Sequence, residues 1–239
     1  MARFVLIHGA WHGAWCWERV VPLLRERGHT VVAPDLPGHG DDATPWWRVT
    51  LGGYARRACA AARACGGPAI AVGHSMGGVV ITEAAAREPE RFAGLVYLCA
   101  FVPEPGEGLM SLGTRDRAGQ VPSAMKRRLT RSWIEPERGA SVFYNTCASD
   151  VAAAAVPRLC AQPNLPLFQR ASRPRGAAPQ RAYVECSEDR ALSIAHQRWM
   201  RERAGIARVR TLATDHSPFY SAPAQLAGVL CELATELAA

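Results

Sequence analysis

The sequence has no long apolar run, and this absence excludes a membrane-spanning protein. None of its 239 residues belongs to a stretch near the roughly 18 consecutive apolar residues of a transmembrane helix. A strand-like segment already begins at Arg3, which leaves no room for a signal peptide. We therefore expect a cytoplasmic protein with no membrane partner.

The sequence also lacks paired cysteines. Its eight cysteines include no Cys-x-x-Cys pair and no accompanying histidine spacing of a zinc site. Cys99 and Cys186 lie within apolar runs, where cysteine behaves as a small hydrophobic residue. Reduced, structural cysteines are predicted, without a bound metal.

Lysine is almost absent, because Lys126 is one lysine among 28 basic residues. The basic residues outnumber 21 acidic ones and give a net charge of +7. They are scattered, with no basic run interleaved with aromatic residues, so no nucleic-acid partner is predicted. For the densest cluster a solvated loop is favoured over an anion contact; the cluster comprises Arg170, Arg173, Arg175 and Arg181.

Length and the 49% hydrophobic content are typical of one globular domain. Short β-branched apolar runs alternate with stretches of helical period. Strands are predicted at Arg3–His8, Thr30–Ala33, Ala69–Gly73, Gly94–Cys99, Arg181–Cys186 and Ala207–Leu212. Helices are predicted at Trp17–Arg27, Tyr54–Cys65, Met76–Arg87, Ala195–Arg203 and Pro223–Leu237. Because most strands are apolar on both faces, we expect a doubly wound α/β fold: a mostly parallel six-stranded sheet with helices on both faces.

The alternation fails between residues 103 and 180, where Pro, Gly, Arg and Ala dominate and no strand pattern is visible. Structureless loops of this length are rare in compact domains, so the segment is interpreted as an inserted helical cap, with one helix at Asp150–Leu159. The core then comprises residues 1–102 and 181–239. The insert is expected over the carboxyl ends of the strands, where open α/β sheets bind ligands.

The third predicted strand runs into Gly73-His74-Ser75-Met76-Gly77, and a helix follows at once. This is Gly-x-Ser-x-Gly in the strand–turn–helix context that the motif requires. The glycines let neighbouring backbones approach a sharp turn that holds the serine in a strained, exposed conformation. Ser75 is therefore predicted to be a nucleophile, the alternative being a helix-capping serine.

A serine hydroxyl needs a base to take its proton and a carboxylate to orient that base. In this architecture the order along the chain is Ser, then Asp or Glu, then His. Of seven histidines, only His216 combines a strand-end loop with a position downstream of an acid. His216 is therefore predicted as the base.

The carboxylate is assigned by position. Asp189 and Glu188 follow the fifth predicted strand, at the same edge as Ser75. Asp189 is favoured because it is closer to the next helix, with Glu188 as the alternative. Asp215 adjoins the base and would have to fold back, so it is interpreted as a loop or capping residue, and Asp35 as a turn-forming residue.

An oxyanion hole requires one backbone N–H after the nucleophile and another from the loop after the first strand. By position these belong to Met76 and Ala10. Trp11 and His12 follow in the same loop and are candidates for lining the pocket. For each, a packing role is equally open.

These residues resemble the α/β-hydrolase superfamily, and within it the plant methylesterase and hydroxynitrile lyase group with its bacterial relatives. The resemblance implies a helical cap, Ser75, Asp189 and His216 as nucleophile, acid and base, and Ala10 and Met76 as oxyanion donors. It covers nearly the whole chain and is clearest in FVLIHGAWHGAWCW (4–17), GHTVVAPD (28–35), VGHSMGG (72–78), YVECSED (183–189) and AHQRW (195–199).

Two departures separate the branches of that group. The lyases carry threonine where Gly9 stands and lysine where Ser217 stands. Without the lysine, the charge that would stabilise a departing cyanide is missing. Hydrolysis is therefore favoured over lyase activity.

The predicted function is a cofactor-free serine hydrolase that cleaves a small carboxylic ester, of methyl or aryl type, through an acyl-enzyme. A thioesterase or cyclase acting on a carrier-bound acyl or polyketide chain is the main alternative, with an acyl carrier protein as partner. A hydroxynitrile lyase and a non-catalytic small-molecule binder are weaker alternatives. The expected partner is a small-molecule ester, and a homodimer remains open. The substrate itself is not predicted, because the cap rather than the fold sets specificity.

Overall fold

Six parallel strands form the centre of the fold, in a computed structural model that describes residues 1–238. These strands are β1 (Arg3–Ile7), β2 (Thr30–Val32), β3 (Ala69–His74), β4 (Phe92–Leu98), β8 (Gln180–Cys186) and β9 (Arg208–Leu212). Their order across the sheet is β2-β1-β3-β4-β8-β9, and every neighbouring pair is parallel. Each overlaps a predicted strand to within two residues, so the predicted sheet is confirmed.

Eleven α-helices follow the strands or lie in the long connection between β4 and β8 within the described residues. Those of the core are α1 (Val20–Glu26), α2 (Leu51–Ala64), α3 (Gly77–Arg87), α9 (Ile194–Arg203), α10 (Pro218–Ser221) and α11 (Pro223–Ala238). Those of the connection are α4 (Leu109–Gly113), α5 (Val121–Ala124), α6 (Pro136–Phe143), α7 (Ser149–Ala155) and α8 (Leu165–Phe168).

Helices cover both faces of the sheet, as β4 demonstrates. A Cβ atom at Gly94 would lie 2.9 Å from Cδ1 of Leu237, so this face of β4 packs against α11. Three residues along the strand, the Tyr97 hydroxyl is 2.8 Å from Oγ1 of Thr82 on α3. Because residues an odd number apart point to opposite faces of a strand, α11 and α3 lie on opposite sides. The doubly wound prediction is confirmed.

The observed helix starts differ from the predictions where caps intervene. The second helix begins at Leu51 rather than Tyr54, since Oγ1 of Thr50 accepts a hydrogen bond from the Gly53 N–H at 3.0 Å. The predicted helix at Trp17–Arg27 is divided, with a 3₁₀ turn at Ala14–Trp17 before α1.

The insert, residues 103–180, contains the five helices α4 to α8 and, in addition, strands that the sequence did not reveal. A second, antiparallel sheet is formed by β5 (Met125–Arg127), β6 (Arg131–Ile134) and β7 (Gln162–Pro163). These strands have two to four residues each, too few for an alternating pattern to be recognised. Helix α7, with the 3₁₀ turn Val156–Arg158, matches the helix predicted at Asp150–Leu159.

The arginine cluster and the cysteines can now be compared with their predictions. Arg170, Arg173 and Arg175 are exposed on the connection that leads into β8, as a solvated loop requires. All eight cysteines are free. Within residues 1–238, no helix has both the length and the apolar character needed to cross a bilayer.

Candidate active site

Ser75 occupies a sharp turn between β3 and α3. Its φ angle is 54°, in the left-handed region that side chains other than glycine rarely adopt. Its backbone is fixed on both sides, because its N–H donates to the Leu98 carbonyl at 3.2 Å and its carbonyl accepts from Phe101 N–H at 3.2 Å. The turn therefore holds the serine in an otherwise unfavourable conformation.

The glycines on either side of this turn are required by close backbone approach. A Cβ at Gly73 would lie 2.5 Å from the Gly77 carbonyl oxygen, and one at Gly77 would lie 2.6 Å from the Ile7 carbonyl oxygen. Neither contact can be relieved by a side-chain movement, since the obstructing atoms are backbone. Both glycines of the Gly-x-Ser-x-Gly motif are therefore required by the geometry of the turn.

His216 and Asp189 form a buried hydrogen-bonded pair. His216 Nδ1 lies 2.6 Å from Asp189 Oδ2, and the two residues are 2% and 7% exposed. Because the partner is a carboxylate, Nδ1 carries the proton and Nε2 is left as the basic nitrogen. They come from the loops after β9 and β8, whose carboxyl ends align through the pairing of Cys186 with Leu212.

The Asp189 carboxylate is held by further donors. Oδ1 accepts from the N–H groups of Ala191 at 2.7 Å and Leu192 at 2.8 Å, and Oδ2 accepts from Nε2 of Gln197 at 3.1 Å. Burial raises the pKa of Asp189, while the hydrogen bonds and the His216 ring oppose that rise. The donors thus favour the ionised form that can orient the imidazole.

The other buried histidines are unsuited to be the base. Burial lowers the pKa of His8, His39 and His74, and it lowers the pKa of His12 to about 3. His74 also has a structural partner, because its Nε2 lies 2.7 Å from the His216 carbonyl oxygen and therefore donates to it. His74 thereby supports the backbone of the loop that carries His216.

Ser75 and His216 line one cavity of about 260 Å³ between the strand ends and the insert. No hydrogen bond joins their side chains among the described residues; in enzymes without bound substrate such contacts are commonly long. The other walls are largely apolar. Six of the wall residues are Trp11, Phe101, Leu109, Met110, Phe143 and Leu167.

The cavity offers little charge to a ligand. His216 is its one basic lining residue within the described chain, and Asp116 its one carboxylate. Asp116 is already engaged, because its oxygens accept from the N–H of Ser193 at 2.8 Å and of Gly119 at 3.1 Å. The cavity is therefore suited to a neutral, apolar ligand.

The backbone N–H groups of Ala10 and Met76 have no acceptor within residues 1–238. Both residues are buried, at 5% and 2% exposure, and Ala10 lines the cavity. Met76 directly follows Ser75 and precedes the first residue of α3, where backbone N–H groups favour a negative charge. Two unpaired buried donors beside the serine fit an oxyanion hole.

The remaining candidates separate clearly. Trp11 lines the cavity. His12 does not: it is 1% exposed, and its ring is hydrogen-bonded to the Ala10 carbonyl and the Tyr144 hydroxyl. Of the two roles left open for His12, these bonds favour packing over contact with a ligand.

The other carboxylates considered from the sequence are Glu188, Asp215 and Asp35. Glu188 is exposed, and its side chain has no hydrogen bond among the described residues. Asp215 is fully buried and accepts from the Ser217 N–H at 3.0 Å, so it is a loop residue. Asp35 accepts from the Ala14 N–H at 2.6 Å, in agreement with its interpretation as a turn residue.

Gln197 was not identified from the sequence. It is fully buried on α9, where its amide nitrogen contacts Asp189 and its Oε1 accepts from the Cys186 N–H at 3.0 Å. The signal was a polar residue at an inward position of a predicted helix. Recognising it required knowing which loop that helix face would meet.

One cluster has the composition of a metal site. Ligand atoms of His74, Cys99 and His216 all lie within 4.8 Å of one another. Burial raises the pKa of the Cys99 thiol, which disfavours the thiolate that binds metals, and a metal on His216 would occupy its basic nitrogen. The cluster is explained by the packing of the His216 loop.

Comparisons with known proteins agree with this geometry. A family model described as "Alpha/beta hydrolase family" matches residues 4–229. A "Pyrethroid hydrolase" of Sphingobium wenxiniae is 33% identical over 245 residues, covering 96% of this chain and 86% of that protein. "Methylesterase 2" of Arabidopsis thaliana is 29% identical over 252 residues, covering 97% of this chain and 95% of that protein.

A solved structure is similar to this chain over nearly its whole length. The crystal structure of a pyrethroid hydrolase from Sphingobium faniae has a TM-score of 0.88 and 28% identity. The match covers 98% of this chain and 97% of that one.

The burial of His12 predicts how the free energy of unfolding changes with pH. Its folded-state pKa of about 3 lies below the ordinary histidine value near 6.5, so the unfolded chain binds the proton first as the pH falls below about 6.5. Between pH 7 and pH 5, His12 should therefore reduce the free energy of unfolding by about 2 kcal/mol. Urea unfolding at both pH values should show a smaller acid loss in His12→Asn than in the wild type. Equal losses would contradict the prediction.

Proposed function

Because this chain belongs to the alpha/beta hydrolase family, we propose that it hydrolyses carboxylic esters, with Ser75 as nucleophile, His216 as general base and acid, and Asp189 as the orienting carboxylate. The observation that carries these assignments is the buried 2.6 Å hydrogen bond from His216 to Asp189 at a cavity that Ser75 also lines. Of the relatives reported above, one is a pyrethroid hydrolase and the other a methylesterase by name.

In the first half-reaction, Ser75 Oγ attacks the ester carbonyl carbon while Nε2 of His216 takes the hydroxyl proton. The negative charge that develops on the carbonyl oxygen is stabilised by the N–H groups of Ala10 and Met76. His216 then gives its proton to the departing alcohol. An acyl-enzyme on Ser75 remains.

In the second half-reaction, His216 takes a proton from water, and the resulting hydroxide attacks the acyl carbon. The oxyanion forms again beside the same two N–H groups, and collapse returns the proton to Ser75 and releases the acid. Asp189 keeps Nδ1 protonated throughout, so that Nε2 is available in both steps. Every group in this cycle belongs to the chain, to the ester or to water.

We assign the substrate class from the cavity walls. The walls are apolar, and burying an unpaired charge among them is costly. A small, neutral, apolar ester of methyl or aryl type fits them better than an ester bearing a free carboxylate. The insert, which supplies most of the apolar wall, is proposed to act as the cap that selects the substrate.

The alternatives have weaker support. A lyase-type threonine at position 9 is sterically disfavoured, because even a Cβ there would lie 2.8 Å from His74 Nδ1 and 2.9 Å from Ser75 Cβ. Ser217 supplies no positive charge for a departing cyanide. Neither relative named above is a thioesterase or cyclase, so the carrier-bound substrate gains no support.

A cytoplasmic location is proposed from the cysteines. All eight are free, including five that are buried, and unpaired cysteines are typical of a reducing compartment.

The nucleophile and base should act as one unit. Ser75→Ala and His216→Ala should each lower kcat for a p-nitrophenyl ester by on the order of 10⁴-fold or more. The double variant should be little worse than either single one, since neither residue activates the reaction without the other. Steady-state kinetics on all three variants measures this. Multiplying losses would show that the residues act in separate mechanisms.

The acid should be Asp189 and not its neighbour. Asp189→Asn should reduce kcat by about 10⁴-fold, because an amide at this position favours the imidazole tautomer whose Nε2 is protonated. Glu188→Gln is the matched control, since that side chain is exposed and should retain activity within about threefold. The opposite ranking in a kinetic assay would transfer the role to Glu188.

The substrate class can be tested with two similar methyl esters. Methyl p-toluate and monomethyl terephthalate differ in whether the ring carries a methyl group or a carboxylate. The neutral ester should have a kcat/KM at least about 30-fold higher, corresponding to roughly 2 kcal/mol for an unpaired charge. Equal rates would exclude the apolar assignment, whereas cleavage of neither ester would count against ester hydrolysis of this class.

A further inference from the structure

Three consecutive residues of the insert contact three different catalytic loops. Tyr144, Asn145 and Thr146 directly follow α6, and we call them the clasp. Each is hydrogen-bonded to the loop after a different parallel strand: β1, β8 and β9 respectively. These are the loops that carry Ala10, Asp189 and His216.

Thr146 and Asp215 form a reciprocal pair. The N–H of Thr146 donates to Asp215 Oδ2 at 2.9 Å, and the N–H of Asp215 donates to Thr146 Oγ1 at 3.1 Å. Asp215 is fully buried and immediately precedes His216. The backbone that carries the base is therefore fixed to the insert by two bonds.

Asn145 fixes the acid loop. Its Nδ2 donates to the carbonyl of Glu188 at 3.0 Å, one residue before Asp189. The contact is with the backbone, so the identity of the side chain at position 188 is not involved.

Tyr144 reaches the oxyanion loop through His12. Nδ1 of His12 lies 2.9 Å from the Ala10 carbonyl oxygen, so Nδ1 carries the proton and donates. Nε2 is then an acceptor, and the Tyr144 hydroxyl donates to it at 3.0 Å. This chain of bonds ends on the residue whose N–H is assigned to the oxyanion hole.

We propose that the clasp is a positioning device that holds the oxyanion donor, the acid and the base in register, with Thr146 as the positioning residue for His216. The proposal rests on the proposed hydrolysis. Catalytic groups must be held to within about 0.5 Å of their productive geometry, and the clasp is one short segment that contacts all three of these loops. Four hydrogen bonds from this segment connect the three loops through the insert.

Thr146 provides a variant with little change in shape. Thr146→Val keeps the β-branched form but leaves the N–H of Asp215 without its acceptor, while Thr146→Ser keeps the acceptor. Thr146→Val should lower kcat for a p-nitrophenyl ester by at least about tenfold, with KM within about twofold, because binding is retained and alignment is lost. Thr146→Ser should recover kcat to within about threefold of the wild type.

Ser141→Ala is the matched control. Ser141 lies on α6, and its exposed hydroxyl donates to the Arg138 carbonyl at 3.0 Å without reaching a catalytic loop. This variant should have wild-type kcat. Melting temperatures of all variants separate loss of alignment from general unfolding.

A second measurement does not depend on turnover. The proton in the short hydrogen bond between His216 Nδ1 and Asp189 should give a far-downfield proton resonance in the wild type. In Thr146→Val this resonance should broaden or move upfield, while Thr146→Ser and Ser141→Ala retain it. An inactive wild type would contradict the proposed function, yet the resonance would still test the clasp.

Two outcomes would overturn the clasp. One is wild-type kcat together with an unchanged resonance in Thr146→Val. The other is an equal loss in Thr146→Ser and Thr146→Val that follows the fall in melting temperature, which would assign the residue a stabilising role alone.

Discussion

The site depends on a backbone approach so close that it leaves no space for a Cβ atom. Gly73 and Gly77 lie so close to neighbouring carbonyl groups that α3 can begin directly against the ends of β1 and β3. That approach forces Ser75 into the left-handed region, at a cost of roughly 1–3 kcal/mol that the surrounding hydrogen bonds offset. The same turn places the Met76 N–H beside the serine. One steric constraint therefore positions both the proposed nucleophile and a proposed oxyanion donor.

A second requirement is electrostatic, because Asp189 must remain ionised while buried. Removal from water alone favours its protonated form. The N–H groups of Ala191 and Leu192, together with the Gln197 amide, replace the lost solvation with oriented donors. The acid is thus supported by the backbone that follows it and by α9. Removing one partner of such a buried pair typically lowers the free energy of unfolding by about 3–5 kcal/mol, because the other partner is left buried without compensation.

The sequence predicted those parts of the molecule that follow from local pattern. Apolar strands gave the parallel sheet, and the glycine spacing around Ser75 gave the turn, because both are determined by residues close in the chain. The strands of the insert were missed because two to four residues cannot display a period. The sequence left the role of His12 open between pocket and packing, since its partner Tyr144 lies 132 residues away. Contacts at such separations depend on the tertiary fold.

The insert combines two tasks in one short segment. Phe143 lines the cavity, and its ring lies 5.7 Å from that of His216, while the next three residues form the clasp. A substrate that displaces Phe143 would therefore also strain the hydrogen bonds between the clasp and the catalytic loops. Leu109 and Met110 also line the cavity, but they belong to α4, which precedes the second sheet along the chain and contains no residue of the clasp. Changes of specificity are thus separable from catalysis at α4, whereas at Phe143 a change in pocket shape acts directly on the alignment of the base.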